Sequence, residues 1–219
     1  MATWTPEKRD VLSALAEEFL HNYGEGRTII AVDGPDGAGK TRFADNLADE
    51  LRVGPRAVFR ASVDDFHNPR AVRYARGRDS AEGFYRDSFD YRTFKRVLIE
   101  PFRIGRIGSF VPAAFDVRSD QPIEPKWLSG PDDAILIVDG IFMNRPELKG
   151  LWNYSIWLDV DPEIAAERLL ERDGKLDFPE RYTDGFQLYV EDSNPRDAAS
   201  AIIDNNDFDA PRRVFADAC

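Results

Sequence analysis

Apolar positions along the chain follow two rhythms. In residues 6–22, Val11, Leu12, Leu15 and Phe19 recur at helical spacing, with Thr5-Pro6 as N-cap and first-turn proline and Gly24 just past the end. Thr28-Ile29-Ile30-Ala31-Val32 then runs without polar alternation, which predicts a short strand covered on both faces. Phe43, Leu47 and Leu51 step by four and predict a helix over 40–52. The same two rhythms return further on. Residues 57–63 read as a strand ending in Asp64-Asp65, 134–139 as the clearest buried strand, 154–160 as another and 201–204 as the last.

The segments between them are less regular. Residues 68–86 are rich in Arg and Gly and read as a mobile surface segment. Residues 89–102 read as a helix closed by Pro101, and the Gly- and Pro-rich 103–131 as a small hairpin-bearing insertion. Asp161-Pro162 caps a helix carrying Arg168 and Arg172, and Asn194-Pro195 makes the turn before the last strand. Strands that are near-continuous apolar runs, alternating with helices, imply an α/β fold: a parallel sheet with helices on both faces. With no internal repeat and no low-complexity tract, residues 1–219 read as one domain.

Composition narrows the function classes. Forty Asp and Glu against 29 Lys and Arg give a net charge of −11, the wrong sign for a surface that meets nucleic-acid backbone. No run of eighteen apolar residues and no basic-then-apolar N-terminal segment is present, so the expectation is a cytoplasmic protein with no membrane partner. Cys219 is the only cysteine and His21 and His67 the only histidines, which excludes an intrachain disulfide, a Cys-based metal site and a poly-His zinc centre.

The chemistry begins at Gly34-Pro35-Asp36-Gly37-Ala38-Gly39-Lys40-Thr41, a full match to G-x-x-x-x-G-K-[ST] placed after a buried strand and before a helix. Such a loop turns successive backbone N–H groups toward phosphates, and the following helix adds its N-terminal dipole. Gly34, Asp36, Gly37, Ala38, Gly39, Lys40, Thr41 and Arg42 are therefore the expected nucleotide-binding residues, with Lys40 on the β- and γ-phosphates and Thr41 on Mg²⁺. A GTPase's Asn/Thr-Lys-x-Asp is absent, and Leu128-Ser129-Gly130-Pro131 stops short of an ABC-type signature. A small-molecule kinase or a non-catalytic P-loop nucleotide-binding protein remains.

Three strands end in acid, at Asp33, Asp64-Asp65 and Asp139, where ligands of doubly wound sheets bind. Phosphoryl transfer needs one carboxylate to accept the acceptor's proton and one to hold Mg²⁺. Asp64 fits the first role, with Asp65 as the alternative, and Asp139 fits the second. Arg168 and Arg172, one helical turn apart before Asp173-Gly174-Lys175, suit charge stabilisation on a transferring phosphoryl group. The expected acceptor pocket lies among His67, Phe84, Tyr85, Asp87 and Phe115, where aromatic rings could stack on a flat ring and Asp87 could hold vicinal hydroxyls. Arg70, Arg73, Arg76 and Arg78 read as a solvated basic loop.

Over residues 27–212 the pattern resembles the uridine kinase / phosphoribulokinase / bacterial pantothenate kinase group of P-loop kinases. The resemblance rests on the phosphate loop, Ser62-Val63-Asp64-Asp65-Phe66, Asp87-Ser88-Phe89-Asp90, Phe115-Asp116, Val138-Asp139-Gly140-Ile141-Phe142, Arg168/Arg172-Asp173 and Ile202-Ile203-Asp204-Asn205. It implies five parallel strands in the order 2-3-1-4-5, a β-insertion closing over the acceptor, Asp64 as base, Asp139 assisting Mg²⁺, and lid arginines Arg168 and Arg172 on the phosphates. The acceptor half departs from uridine–cytidine kinases. Gly83-Phe84-Tyr85-Arg86 replaces their Phe-Asp-His-Pro, Asp120 stands near their pyrimidine-side His, His67 replaces a Tyr, and the lid arginines are four apart rather than three. The expected function is ATP-dependent phosphorylation of a primary hydroxyl, on uridine or cytidine first and a pantothenate-like or sugar acceptor second. The expected partners are ATP, Mg²⁺ and a small hydroxylated acceptor, and a homo-oligomer is compatible with the chain.

Overall fold

The computed structural model describes residues 7–105, 108–174 and 180–214. The expected cap at Thr5-Pro6, Lys175 and Cys219 lie outside the described residues. Helix α1 (Lys8–Asn22) is entered at Glu7, whose backbone N–H donates to the Asp10 carboxylate at 3.0 Å. Strand β1 (Thr28–Asp33) is buried throughout and leads through the phosphate loop into α2 (Lys40–Leu51). Then come β2 (Val58–Ser62), a 3-10 turn at Val63–Phe66, α3 (Arg70–Arg73), α4 (Ala81–Asp87) and α5 (Tyr91–Phe94). Helix α6 (Glu100–Ile104) and the hairpin β3 (Phe115–Asp116) with β4 (Gln121–Pro122) precede β5 (Ile135–Asp139). The chain continues through β6 (Tyr154–Asp159), α7 (Pro162–Asp173), α8 (Glu180–Ser193), α9 (Pro195–Ala198), β7 (Ala201–Asp204) and β8 (Arg212–Val214).

The main sheet runs β2-β5-β1-β6-β7-β8. Its first five members are parallel and, counted without the hairpin, take the expected 2-3-1-4-5 order. The sixth, β8, is antiparallel to β7 and is an addition to the five-stranded expectation. Alternation along the strands divides the core. Ile29 and Ala31 of β1, with Leu136 and Val138 of β5, pack among Phe94, Leu98 and Phe142 on one face. Ile30, Val32, Ile135 and Ile137 pack on the other face with Leu15 and Phe19 of α1 and Phe43 and Leu47 of α2. Both faces are covered, which is why neither strand shows polar alternation.

Two segments differ from expectation for identifiable reasons. The single helix expected over 89–102 begins instead at Tyr91, capped by Asp90, whose carboxylate accepts from Thr93 N at 2.9 Å. It widens into a π-helical stretch at Lys95–Ile99 before α6. Pro101 has no N–H to offer Val97, four residues back, and its ring would crowd that carbonyl. Val97 O accepts from Val111 N at 2.8 Å instead. Residues 68–86 are held rather than loose. Buried Arg181 of α8 donates to the carbonyls of Gly77, Arg78, Ser80 and Arg73, and Arg73 donates to Asn68 O. Five backbone acceptors that a surface loop would leave to water are thus satisfied by two guanidiniums.

Candidate active site

The parallel strands deliver their C-terminal ends to one edge, and a cleft of about 390 Å³ opens there between the phosphate loop and α7. Gly37 shows why the loop needs its glycines. At φ +80° it occupies the left-handed region, and a Cβ would lie 2.5 Å from Ala165 O of α7. Lys40 Nζ is folded over the loop, donating to the carbonyls of Gly34 at 3.1 Å and Pro35 at 2.8 Å, and stands 3.8 Å from the Asp36 carboxylate. Asn205 Nδ2 donates to Ala38 O at 2.6 Å and closes the loop from β7's side.

Asp139, at the end of β5, is buried beside the loop. Its Oδ2 accepts from Thr41 Oγ1 at 2.7 Å and its Oδ1 from Arg60 Nη2 at 2.7 Å. The two residues expected to serve Mg²⁺ are therefore in contact. Hard oxygen donors adjacent to a phosphate loop fit that ion, which commonly takes one or two protein oxygens and completes its shell with phosphates and water. No cluster of three or more His, Cys, Asp or Glu suited to a metal occurs among the described residues, in keeping with so sparse a protein donor set.

Asp64 lines the same cleft from the 3-10 turn after β2. Burial pushes its carboxyl up, with His67 and Lys40 pulling the other way. Asp65 is pushed up to about 6 by burial and by the charges of Asp64, Asp139 and Asp116. Asp33, the third strand-end acid, faces inward. It is fully buried and accepts from Gly34 N, from Asn144 N and Nδ2, and from the Tyr189 hydroxyl. Burial raises its pKa too, and its role is to brace the loop from behind.

The two lid arginines line the cleft in different states. Arg168 is spent on protein, donating to the carbonyls of Gly37, Asn205 and Asn206 and stacking 3.6 Å over the Phe208 ring. Arg172 pairs with Asp173 through two bonds of 2.8 Å, and that carboxylate raises its pKa. Arg42 covers the ring of Phe208 at 4.5 Å. Phe208 and Arg60 are the residues that sequence reasoning missed. Arg60 carried one signal, a lone charge inside an otherwise strand-like run.

No family model matches the chain. Uridine kinase-like protein 3 of Arabidopsis thaliana is 25% identical over 159 residues, 73% of this chain but only 33% of that protein. Uridine kinase of Leuconostoc citreum (strain KM20) is 24% identical over 149 residues, 66% of this chain and 68% of that one. A solved structure described as a possible uridine kinase from Bacillus stearothermophilus matches with a TM-score of 0.71 over 89% of this chain and 97% of that chain, at 22% identity. D-glycerate 3-kinase from Cryptococcus neoformans var. grubii matches with a TM-score of 0.65 over 94% and 99%, at 11% identity. In sequence the chain is similar to uridine kinases at low identity, and in fold it is similar to P-loop kinases.

The acceptor side is arranged differently from expectation. Tyr85 is fully buried, its hydroxyl donating to Asp192 at 2.8 Å, so its ring belongs to the core rather than to a pocket wall. Phe84 packs edge-on against Phe142 and Tyr182. Asp87 accepts from Arg76 Nε at 2.7 Å, and Asp120 accepts from Arg73 and from Arg70 N. His67 Nδ1 donates to Asp64 O at 2.7 Å, its ring lies against Phe89, and burial lowers its pKa. Phe115 is buried in β3 at the base of the hairpin. Among the described residues no helix is long and apolar enough to cross a membrane.

Proposed function

We propose that the chain transfers the γ-phosphoryl group of ATP to a primary hydroxyl of a small molecule, with uridine or cytidine as the first acceptors to try. The observation that carries this reading is the 2.7 Å contact of Thr41 with Asp139 in a cleft that Lys40 and Asp64 also line. A nucleotide-binding module needs the first three residues, but it has no use for a second carboxylate in that cleft at the end of neighbouring β2.

In this reading the backbone N–H groups of Asp36, Gly37, Gly39, Lys40 and Thr41 hold the phosphates and the Lys40 ammonium neutralises them. Thr41 and Asp139 would hold Mg²⁺, which supplies further charge neutralisation on the phosphate oxygens. Asp64 orients the acceptor hydroxyl and takes its proton as the bond to phosphorus forms. Arg172 swings from Asp173 to the transferring group.

A non-nucleoside acceptor is the second reading, and one observation favours it. Asp87, Asp120 and His67, the polar groups best placed to recognise a ribose or pyrimidine, all bond protein groups already. Coupled ATP consumption measured with uridine, cytidine, 2′-deoxyuridine, pantothenate, D-glycerate and simple sugars separates the two. Turnover with uridine well above 2′-deoxyuridine supports the nucleoside; turnover with pantothenate or a sugar alone supports the second reading; none with any alcohol removes the kinase reading.

A further inference from the structure

A second cavity, of about 530 Å³, lies between α7 and α8 beside the phosphate loop, and neither the phosphate loop nor Asp64's chemistry accounts for it. It shares Asp36, Ile141 and Leu169 with the transfer cleft, so the two spaces adjoin across those residues. Its walls are apolar and aromatic. Trp157 and Phe186 stack with ring centroids 6.2 Å apart and planes at 23°, and Tyr182, one turn before Phe186 on α8, packs edge-on against Phe84 at 4.8 Å. Trp157 Nε1 donates to Asp159 at 2.7 Å, and Arg196 holds the same carboxylate, so the indole N–H is already satisfied by protein.

Charge decides what fits. Among the described residues the lining contains no Lys, Arg or His, and its carboxylates are Asp159, already paired, and Asp36, which stands 3.8 Å from Lys40. An anionic group placed here would lose its water with no cation to receive it. A neutral flat or branched apolar group loses nothing polar and covers aromatic surface; the volume is within the usual range for small-molecule sites.

We infer that this cavity seats the neutral, ring-bearing tail of the phosphoryl acceptor, whose reacting hydroxyl reaches past Ile141 to Asp64. The inference rests on the kinase reading, since it is the hydroxyl at Asp64 that makes the occupant an acceptor. It selects against acceptors whose remainder is a carboxylate or phosphate, D-glycerate and pantothenate included. It also places acceptor specificity on α7 and α8 rather than on the β3–β4 hairpin.

The test uses benzyl alcohol and benzoate as neutral and anionic probes of one shape, followed by saturation-transfer NMR on the full chain with Mg²⁺ and a non-hydrolysable ATP analogue. Benzyl alcohol is expected to bind, and benzoate at least about tenfold more weakly. Ala166→Phe from α7 and Thr183→Phe from α8, two independent ways of filling the space, should each weaken benzyl alcohol by about tenfold or more. Retained binding of the ATP analogue reports that each variant is folded. Absent benzyl alcohol binding, equal binding of the two probes, or indifference to both folded variants overturns the inference. A chain that phosphorylates an alcohol yet fails the probes loses only this inference. One that binds benzyl alcohol as expected but phosphorylates no alcohol loses the kinase reading, and the acceptor assignment with it.

Discussion

Arg60 of β2 holds one oxygen of Asp139 while Thr41 holds the other, so the carboxylate is fixed from both sides before any ligand arrives. The guanidinium is itself anchored, with bonds of 2.8 Å to Ile137 O and 2.9 Å to Asp45. In the proposed reaction it would be a positioning residue, acting through Asp139.

Removing that support should loosen metal use more than nucleotide binding. Arg60→Ala is expected to raise the Mg²⁺ concentration for half-maximal turnover by about tenfold or more, the usual scale for a group that orients a metal-binding carboxylate. Arg60→Lys should recover part of the loss. Metal-free ATP affinity, measured by calorimetry, should stay unchanged; an equal fall there would mark Arg60 as merely structural.

Lys40→Ala should reduce ATP turnover by about a hundredfold or more, because a preorganised cation aimed at phosphate is lost. The fold should survive, since the ammonium bonds only loop carbonyls and packs no core. Steady-state kinetics and a thermal melt together check both halves.

Asp64→Asn should cut kcat by roughly a hundredfold or more while ATP affinity changes only a few-fold. In the wild type, the raised pKa of Asp64 means that the base form is reached only above the ordinary carboxylate range, so kcat/KM should climb with pH through an acid limb displaced upward. A pH–rate profile with its limb in the ordinary range would point to a different base.

Asp65 gives a stability prediction with a definite sign. The unfolded chain releases this proton near ~4, whereas the folded chain keeps it until about 6. Between those values the folded state binds more protons, so stability falls as pH rises through the window and the penalty is complete above it. Full burial would make the penalty about 3 kcal/mol, but the side chain is half open to solvent, and screening reduces it to about 1 kcal/mol. Asp65→Asn should therefore raise Tm by about 2–4 °C near pH 8 and leave it unchanged near pH 4. Equal melts at both pH values, or a loss near pH 8, would refute it.

What could be read from the sequence was local. Ile29 to Val32 and Ile135 to Val138 are buried on both faces, and such runs announce a covered parallel strand without knowledge of their neighbours. The phosphate loop is a contiguous motif whose spacing is its mechanism. What was missed depends on partners far along the chain. Arg181 satisfies carbonyls around residues 73–80 from about a hundred positions downstream, so a segment that looked solvated is tied down. Tyr85 looked like a pocket ring because nothing local reveals its bond to Asp192. The cavity wall of Trp157, Tyr182 and Phe186 comes from two separate stretches, β6 and α8, brought together only by the packing of α8 against the sheet.

Gly37 touching Ala165, together with Arg168 reaching Gly37, Asn205 and Asn206, has a kinematic consequence. The opening turns of α7 and the phosphate loop move as one piece, and β7's exit is pinned to them. If α7 closes on a substrate, these contacts oppose a swing of the whole helix from its first residue and favour bending beyond Arg168, with Arg172 on the moving side and Arg168 on the stationary side.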